Sequence, residues 1–135
     1  LEIEITETSL VRGGDRARAA LEALSAMGIK LTLDDFGNGF ASIGFLRQFP
    51  FDALKIDRSI ICDSMRSAAA RGVIVACIAM ARALDMEVIA EGVETVEEAD
   101  LMRAEGCRLL QGWLFCRAVP IEEIRARLQD QILAA

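Results

Sequence analysis

Histidine and tyrosine are absent from this sequence, and each absence removes chemistry. Without histidine there is no Ser-His-Asp or Cys-His nucleophile, no imidazole proton relay and no mixed Cys-His zinc site. Without tyrosine as well, acid–base work falls to carboxylates, lysine, cysteine or water on a metal. Cys62, Cys77, Cys107 and Cys116 never show the C-x-x-C spacing of a zinc knuckle or redox pair. Reduced, mostly buried thiols in a cytoplasmic protein are therefore expected. No long basic run is present and the net charge is −6, which argues against a nucleic-acid groove or contact with an anionic membrane. An anionic small ligand would then need a metal ion. The longest apolar run, Val73 to Ala81, lies between Arg71 and Arg82 and falls well short of the roughly 20 residues that cross a bilayer. No secretory signal is legible at Leu1.

What is present is an ordinary globular composition, 135 residues with 53% hydrophobic and 27% charged, enough for one core. The chain reads as one domain, or part of one, over residues 1–135. Leu1, Ile3 and Ile5 alternate with Glu2, Glu4 and Thr6 as in a strand. Gly13 and Gly14 loosen the next connection, and Asp15 can cap a helix that Gly28 ends. A second strand, Leu31-Thr32-Leu33, runs into Asp34-Asp35 and a turn hinged at Gly37 and Gly39. A short helix or loop over Phe40–Phe49 stops at Pro50, before the strand Ala53-Leu54-Lys55-Ile56. A long helix from about Ala68 to Leu84 precedes the strand Glu87–Ala90, which ends in Glu91. Thr95 and Glu98 have capping-box spacing for a helix ending before Gly106. Leu109–Gly112 reads as a fifth strand, and a last helix is predicted over about Ile121–Leu133.

The pattern is β-α repeated, so the fold class is α/β, with about five β/α units of parallel strands and helices outside them. An Asp-Asp turn alone is ambiguous. It fits a solvated turn as well as a pair held by a hard divalent cation with oxygen ligands. The wider pattern favours the second reading. Glu4, Asp34, Asp35, Lys55, Glu91 and Gln111 all fall at the ends of strands, where β/α barrels and open parallel sheets gather functional groups. Lys55, inside a short apolar strand, either snorkels to an edge or faces negative charge.

These residues lie in motifs that resemble the EAL-domain cyclic di-GMP phosphodiesterases, in order and over nearly the whole chain. The motifs are Glu4-Ile5-Thr6-Glu7, Asp34-Asp35-Phe36-Gly37, Lys55-Ile56-Asp57-Arg58-Ser59, Ala90-Glu91-Gly92-Val93-Glu94 and Gln111-Gly112-Trp113-Leu114-Phe115. The resemblance implies a TIM-type barrel, here partial, that hydrolyses cyclic di-GMP to linear pGpG with two Mg²⁺ or Mn²⁺ ions. It makes Glu4, Asp34, Asp35 and Glu91 metal ligands, Lys55 the residue that holds the attacking water, and Gln111 its hydrogen-bonding neighbour. Lys55, Glu91 and Gln111 are thus the catalytic group. Glu7 would brace the loop from Phe36 to Ser42, and Asp57 and Glu94 would support the ligands from behind.

Departures from the family pattern matter equally. The strand that names the family and the following strand with its ligand Asn are absent, so roughly the first three of eight β/α units are missing. Asn38 replaces a usual Thr, Ala41 a usual Ser and Ala118 a common Pro. Five parallel strands leave two open edges, so association with a second copy or with an amino-terminal segment is expected. Two functional readings follow, a phosphodiesterase portion or a catalytically inactive receptor or interaction module of the same fold. A protein kinase, suggested by Asp35-Phe36-Gly37 alone, fails because no His-Arg-Asp loop exists and Lys55 follows the motif.

Overall fold

The computed structural model describes residues 1–37 and 43–125. Five parallel strands, β1 (Glu2–Thr6), β2 (Lys30–Phe36), β3 (Ala53–Ile56), β4 (Glu87–Glu91) and β5 (Leu109–Gln111), form one sheet in the order β1-β2-β3-β4-β5. Between them lie α1 (Glu7–Ala26), α2 (Ile43–Leu46), α3 (Arg58–Ser64), α4 (Ala68–Ala83) and α5 (Val96–Ala104). Sequence order equals spatial order, as successive β/α units require.

The register divides the sheet into two unlike faces. Strand residues alternate sides, and paired residues in neighbouring strands share one. Ile3, Ile5, Leu31, Leu33, Leu54, Ile56, Val88, Ala90 and Leu110 therefore share a face, and all of them belong to or pack against the hydrophobic core. Helices α1 and α4 cover this side with Leu10, Leu21, Ile74, Ile78 and Ala81. The other face carries Glu2, Glu4, Thr32, Asp34, Lys55, Glu91 and Gln111. Burial of apolar area thus stabilises one side, while the polar side is free to carry chemistry.

Several local features differ from the sequence expectation. Helix α1 starts directly at Glu7 rather than at Asp15, and the two-glycine segment appears as a kink at Gly14 (φ 51°, ψ −137°) inside the helical run. Gly28, at φ 77°, follows the helix end as expected. Helix α3 was not anticipated; Asp57 caps it, its side chain accepting a 2.9 Å hydrogen bond from the Ser59 N–H. The predicted capping box at Thr95 and Glu98 is present in full. Residues 121–125 are helical, and the rest of the predicted last helix lies outside the described residues. No described helix is long and apolar enough to cross a membrane.

Candidate active site

The site begins with a lysine in the central strand. Leu54 and Ile56 point into the core, so alternation sends Lys55 to the polar face, where its side chain is only 3% exposed. An ammonium so placed requires compensation, and three strands supply it. Nζ lies 3.1 Å from Glu4 Oε2 of β1, 3.3 Å from Asp34 Oδ1 of β2 and 3.0 Å from Glu91 Oε2 of β4. Lys55 does not snorkel to an edge. Burial pushes the ammonium toward deprotonation, but hydrogen bonds to Glu91 and Glu4 and the charges of Glu91 and Asp34 outweigh it, so its pKa stands above the ordinary lysine value. Glu91 is shifted upward: burial and the nearby Asp34 disfavour its charge more than Lys55 restores it.

Asp34 and Asp35 reach this end of the sheet by an irregularity. The β2–β3 register shifts between Leu33 and Phe36, and Asp35 adopts φ 57°, a left-handed conformation that aspartate tolerates better than most residues. Regular alternation would turn Asp35 toward the helix side; with the shift it lines a cleft at the strand ends. That cleft, of about 600 Å³, is bordered by Asp35, Asp57, Arg58, Glu91, Gln111 and Trp113, among others. Its lining does not include Lys55, Glu4 or Asp34, and Glu91 joins it to their cluster. Asp35 has a raised pKa, from burial first and then from Asp34 and Asp57, against the opposing effect of Lys55.

The predicted residues therefore share one end of the sheet without forming one cluster. Glu4, Asp34 and Glu91 meet on Lys55, whereas Asp35 faces the cleft with Gln111 and Asp57. Among the described residues no three or more Asp, Glu or Cys side chains form a ready metal-holding group. The reason is visible: the Lys55 ammonium occupies the point where the three carboxylates converge. Glu7 is buried at the start of α1, while the loop it was expected to brace, with Asn38 and Ala41, lies mostly outside the described residues. Glu94 takes up Arg58 through both of its oxygens, one of these contacts being Nη2 to Oε2 at 2.6 Å.

Arg58, Trp113 and Arg117 line the cleft and received no role from the sequence. Arg117 lies 4.2 Å from the centre of the Trp113 ring. All three sit in or beside motifs that were recognised, yet residue type alone does not say which motif side chains face the cleft.

Comparison with known proteins places this geometry in context. Residues 1–118 match the EAL domain family. The chain is 42% identical over 129 residues to the cyclic di-GMP phosphodiesterase NbdA of Pseudomonas aeruginosa, a match covering 96% of this chain and 16% of that protein. Among solved structures, one described as "PaMucR Phosphodiesterase, c-di-GMP complex" superimposes with a TM-score of 0.86 at 37% identity, over 92% of this chain and 50% of that one. A Klebsiella pneumoniae BlrP1 structure described as a manganese and cy-diGMP complex gives 0.80 at 37% identity, over 86% of this chain and 30% of the other. The chain thus spans about a sixth of that curated relative and 50% and 30% of those two solved chains.

Proposed function

Because this chain belongs to the EAL domain family, we propose that residues 1–135 are the carboxyl-terminal portion of one such domain, a partial TIM-type barrel that hydrolyses cyclic di-GMP to linear pGpG. The observation that carries this reading is the convergence of Glu4, Asp34 and Glu91 on a buried Lys55 beside an acidic cleft. A structural ion pair needs one carboxylate per lysine; three from three strands are an excess of negative charge that a functional cation would use.

The residues fit a divalent ion. Asp34 Oδ1 is buried and, although within ion-pair distance of Lys55, makes no hydrogen bond among the described residues. Every donor is a carboxylate oxygen, which suits Mg²⁺ or Mn²⁺. Glu4, Asp34, Asp35 and Glu91 would hold two ions in the complete domain. When bound, such ions supply charge neutralisation at the phosphodiester and acidify water.

The chain's own groups do the remaining work. Lys55 keeps its proton, so its ammonium orients Glu4 and Glu91 through two N–H groups and has a third for Asp34 or for the attacking water. Gln111, paired with Glu91 in the β4–β5 register, offers an amide at the same strand ends to hold that water. Asp57 fixes the start of α3 and Glu94 holds Arg58, so both support the cleft rather than react. The open edges at β1 and β5 favour association with a segment supplying further strands, or with a second copy. The four free cysteines suit a reducing compartment, and the cytoplasm is the proposed location.

A second reading is favoured by Lys55 itself, since its ammonium already fills the carboxylate cluster: a receptor or interaction module that binds cyclic di-GMP without cutting it. One experiment separates the two. The full-length protein is incubated with cyclic di-GMP and Mn²⁺ or Mg²⁺, and pGpG is followed by chromatography. The enzyme reading expects product with metal, none with EDTA, and a loss of at least about hundredfold in Asp34→Asn or Glu91→Gln, because each removes a charged ligand at nearly constant volume. Tight binding without product would establish the receptor instead.

A further inference from the structure

The turn after β4 is held from three sides. From the β5 side, the Val93 N–H donates to Gln111 C=O at 3.0 Å and the Leu114 N–H to Val93 C=O at 3.1 Å. Gly112 lies so close to the Val93 backbone that a side chain there would collide with it. From α5, Glu98 Oε2 accepts the N–H groups of Glu94 at 2.8 Å and Thr95 at 3.1 Å. From the β3 side, Arg58 crosses the turn. A Cβ on Gly92, which sits at φ 73°, would lie 2.7 Å from Arg58 Cβ and 3.0 Å from its Cγ and Cδ. Beyond Gly92 the guanidinium meets both oxygens of Glu94 in a fork-to-fork pair.

This third hold is chemically distinct. The first two are backbone and capping bonds that any strand–turn–helix needs. The Arg58–Glu94 pair joins two consecutive strand-end segments, and only Gly92 and Val93 separate Glu94 from the last residue of β4, Glu91, whose carboxylate holds Lys55. Arg58 itself lies three residues after Lys55. The pair therefore ties the exit of the lysine strand to the exit of the Glu91 strand. Its position half in solvent makes a large contribution to folding unnecessary, since exposed ion pairs contribute little.

We propose that Arg58 is a positioning residue: clasped to Glu94 across Gly92, it fixes Glu91 relative to Lys55 and so sets the affinity of the carboxylate site for a divalent cation. Arg58 need not touch substrate or metal to act in this way. The proposal rests on the functional reading above only in taking Glu91 as a metal ligand. A bidentate fork holds orientation as well as distance, which a lysine at the same position cannot reproduce.

The test is Mn²⁺ binding to the full-length protein, read by the electron paramagnetic resonance signal of free Mn²⁺, so it does not depend on turnover. Arg58→Ala and Glu94→Gln should each weaken binding about tenfold, the scale seen when a group supporting a metal ligand is removed. The double variant should be no weaker than either single one, because both break the same clasp. Arg58→Lys should recover only part of the affinity, and the exchange Arg58→Glu with Glu94→Arg should recover most of it. Thermal melts of all variants should stay close to wild type. Wild-type Mn²⁺ affinity in both single variants, or losses that add in the double, would overturn the proposal. Parallel assays of pGpG distinguish the failures: a wild-type protein that binds Mn²⁺ but makes no product sinks the enzyme reading and leaves the clasp to be judged on its binding data.

Discussion

Lys55 and Arg58 lie three residues apart, both cationic and both facing carboxylates at the same end of the sheet, yet their surroundings differ completely. The Lys55 side chain is 3% exposed among three acids; Arg58 is 47% exposed and holds one. The difference follows from the backbone: Lys55 belongs to a central strand whose alternation aims it inward, whereas Arg58 opens helix α3 at the rim. Charge complementarity alone therefore says little about energy. Where water is excluded, removing one partner strands the others; at the rim, solvent replaces what is lost.

The sharpest way to break this comparison is Lys55→Met, which preserves bulk and removes the charge. Glu4, Asp34 and Glu91 are then left facing one another. Losing the cation of a buried cluster costs roughly 3–5 kcal/mol, and since Glu4 is half exposed the expected value is about 3 kcal/mol. Millimolar Mn²⁺ should restore part of it, because a divalent ion can replace the ammonium between the carboxylates. Urea unfolding with and without Mn²⁺ checks this; an unchanged midpoint in the variant would mean that the three acids do not depend on Lys55.

Alkaline titration sharpens the same point with a smaller effect. The folded pKa of Lys55 is raised, so the native state keeps a proton that the unfolded chain loses. Stability from Lys55 is therefore complete below the unfolded value of roughly 10.4 and falls as pH rises toward the folded one. The slope from this one residue is about 1.4 kcal/mol per pH unit. Wild type should thus lose stability more steeply than Lys55→Met between about pH 10.5 and 11.5; parallel curves would remove Lys55 as the source.

On the rim side, Gly92→Ala probes backbone rather than charge. The substitution adds a Cβ at φ 73° and presses it against Arg58. Left-handed backbone costs an alanine about 1–2 kcal/mol, and the contact should add displacement of the arginine. A loss of that size in a melt, with weakened Mn²⁺ binding, is the expected result. Unchanged Mn²⁺ binding despite the stability loss would separate the turn from the proposed metal site.

The fold was legible because its signals are local and repeated. Apolar alternation at Leu31–Leu33 and Leu54–Ile56, the Thr95–Glu98 capping box and Gly28 each have one dominant structural meaning. The placement of Asp34, Lys55 and Glu91 toward the carboxyl ends of β2, β3 and β4 was legible for the same reason, whereas Glu4, expected at a strand end, lies in the middle of β1. What could not be read was the division of labour among them. Asp34 and Asp35 are adjacent, and only the register shift against β3 decides that one joins Lys55 while the other faces the cleft. Helix α3 is hidden in the sequence because an aspartate at position 57 suits a site carboxylate as well as a helix cap, and only the structure shows it accepting from the Ser59 N–H. Arg58 was missed because its partner lies 36 residues away and beyond a glycine, a relation no local pattern contains.

The smallest effect is expected where the comparison has its control. Asp100 and Arg103 on α5 form an ion pair of 3.2 Å, with side chains 68% and 54% exposed. Its distance is close to that between Lys55 and Glu4, 3.1 Å, so separation is nearly held constant while burial changes. Exposed pairs of this kind give about 0–1 kcal/mol, and pairs three or four apart on a helix about half of that, because water solvates each ion well when the pair is broken. Asp100→Ala should therefore shift stability by no more than about 0.5 kcal/mol, and the shift should shrink in high salt. Chemical unfolding in low and high salt measures both quantities. A loss as large as that of Lys55→Met would mean that distance, not exclusion of water, sets the strength of these pairs, and the contrast between the buried lysine and the rim arginine would lose its physical basis.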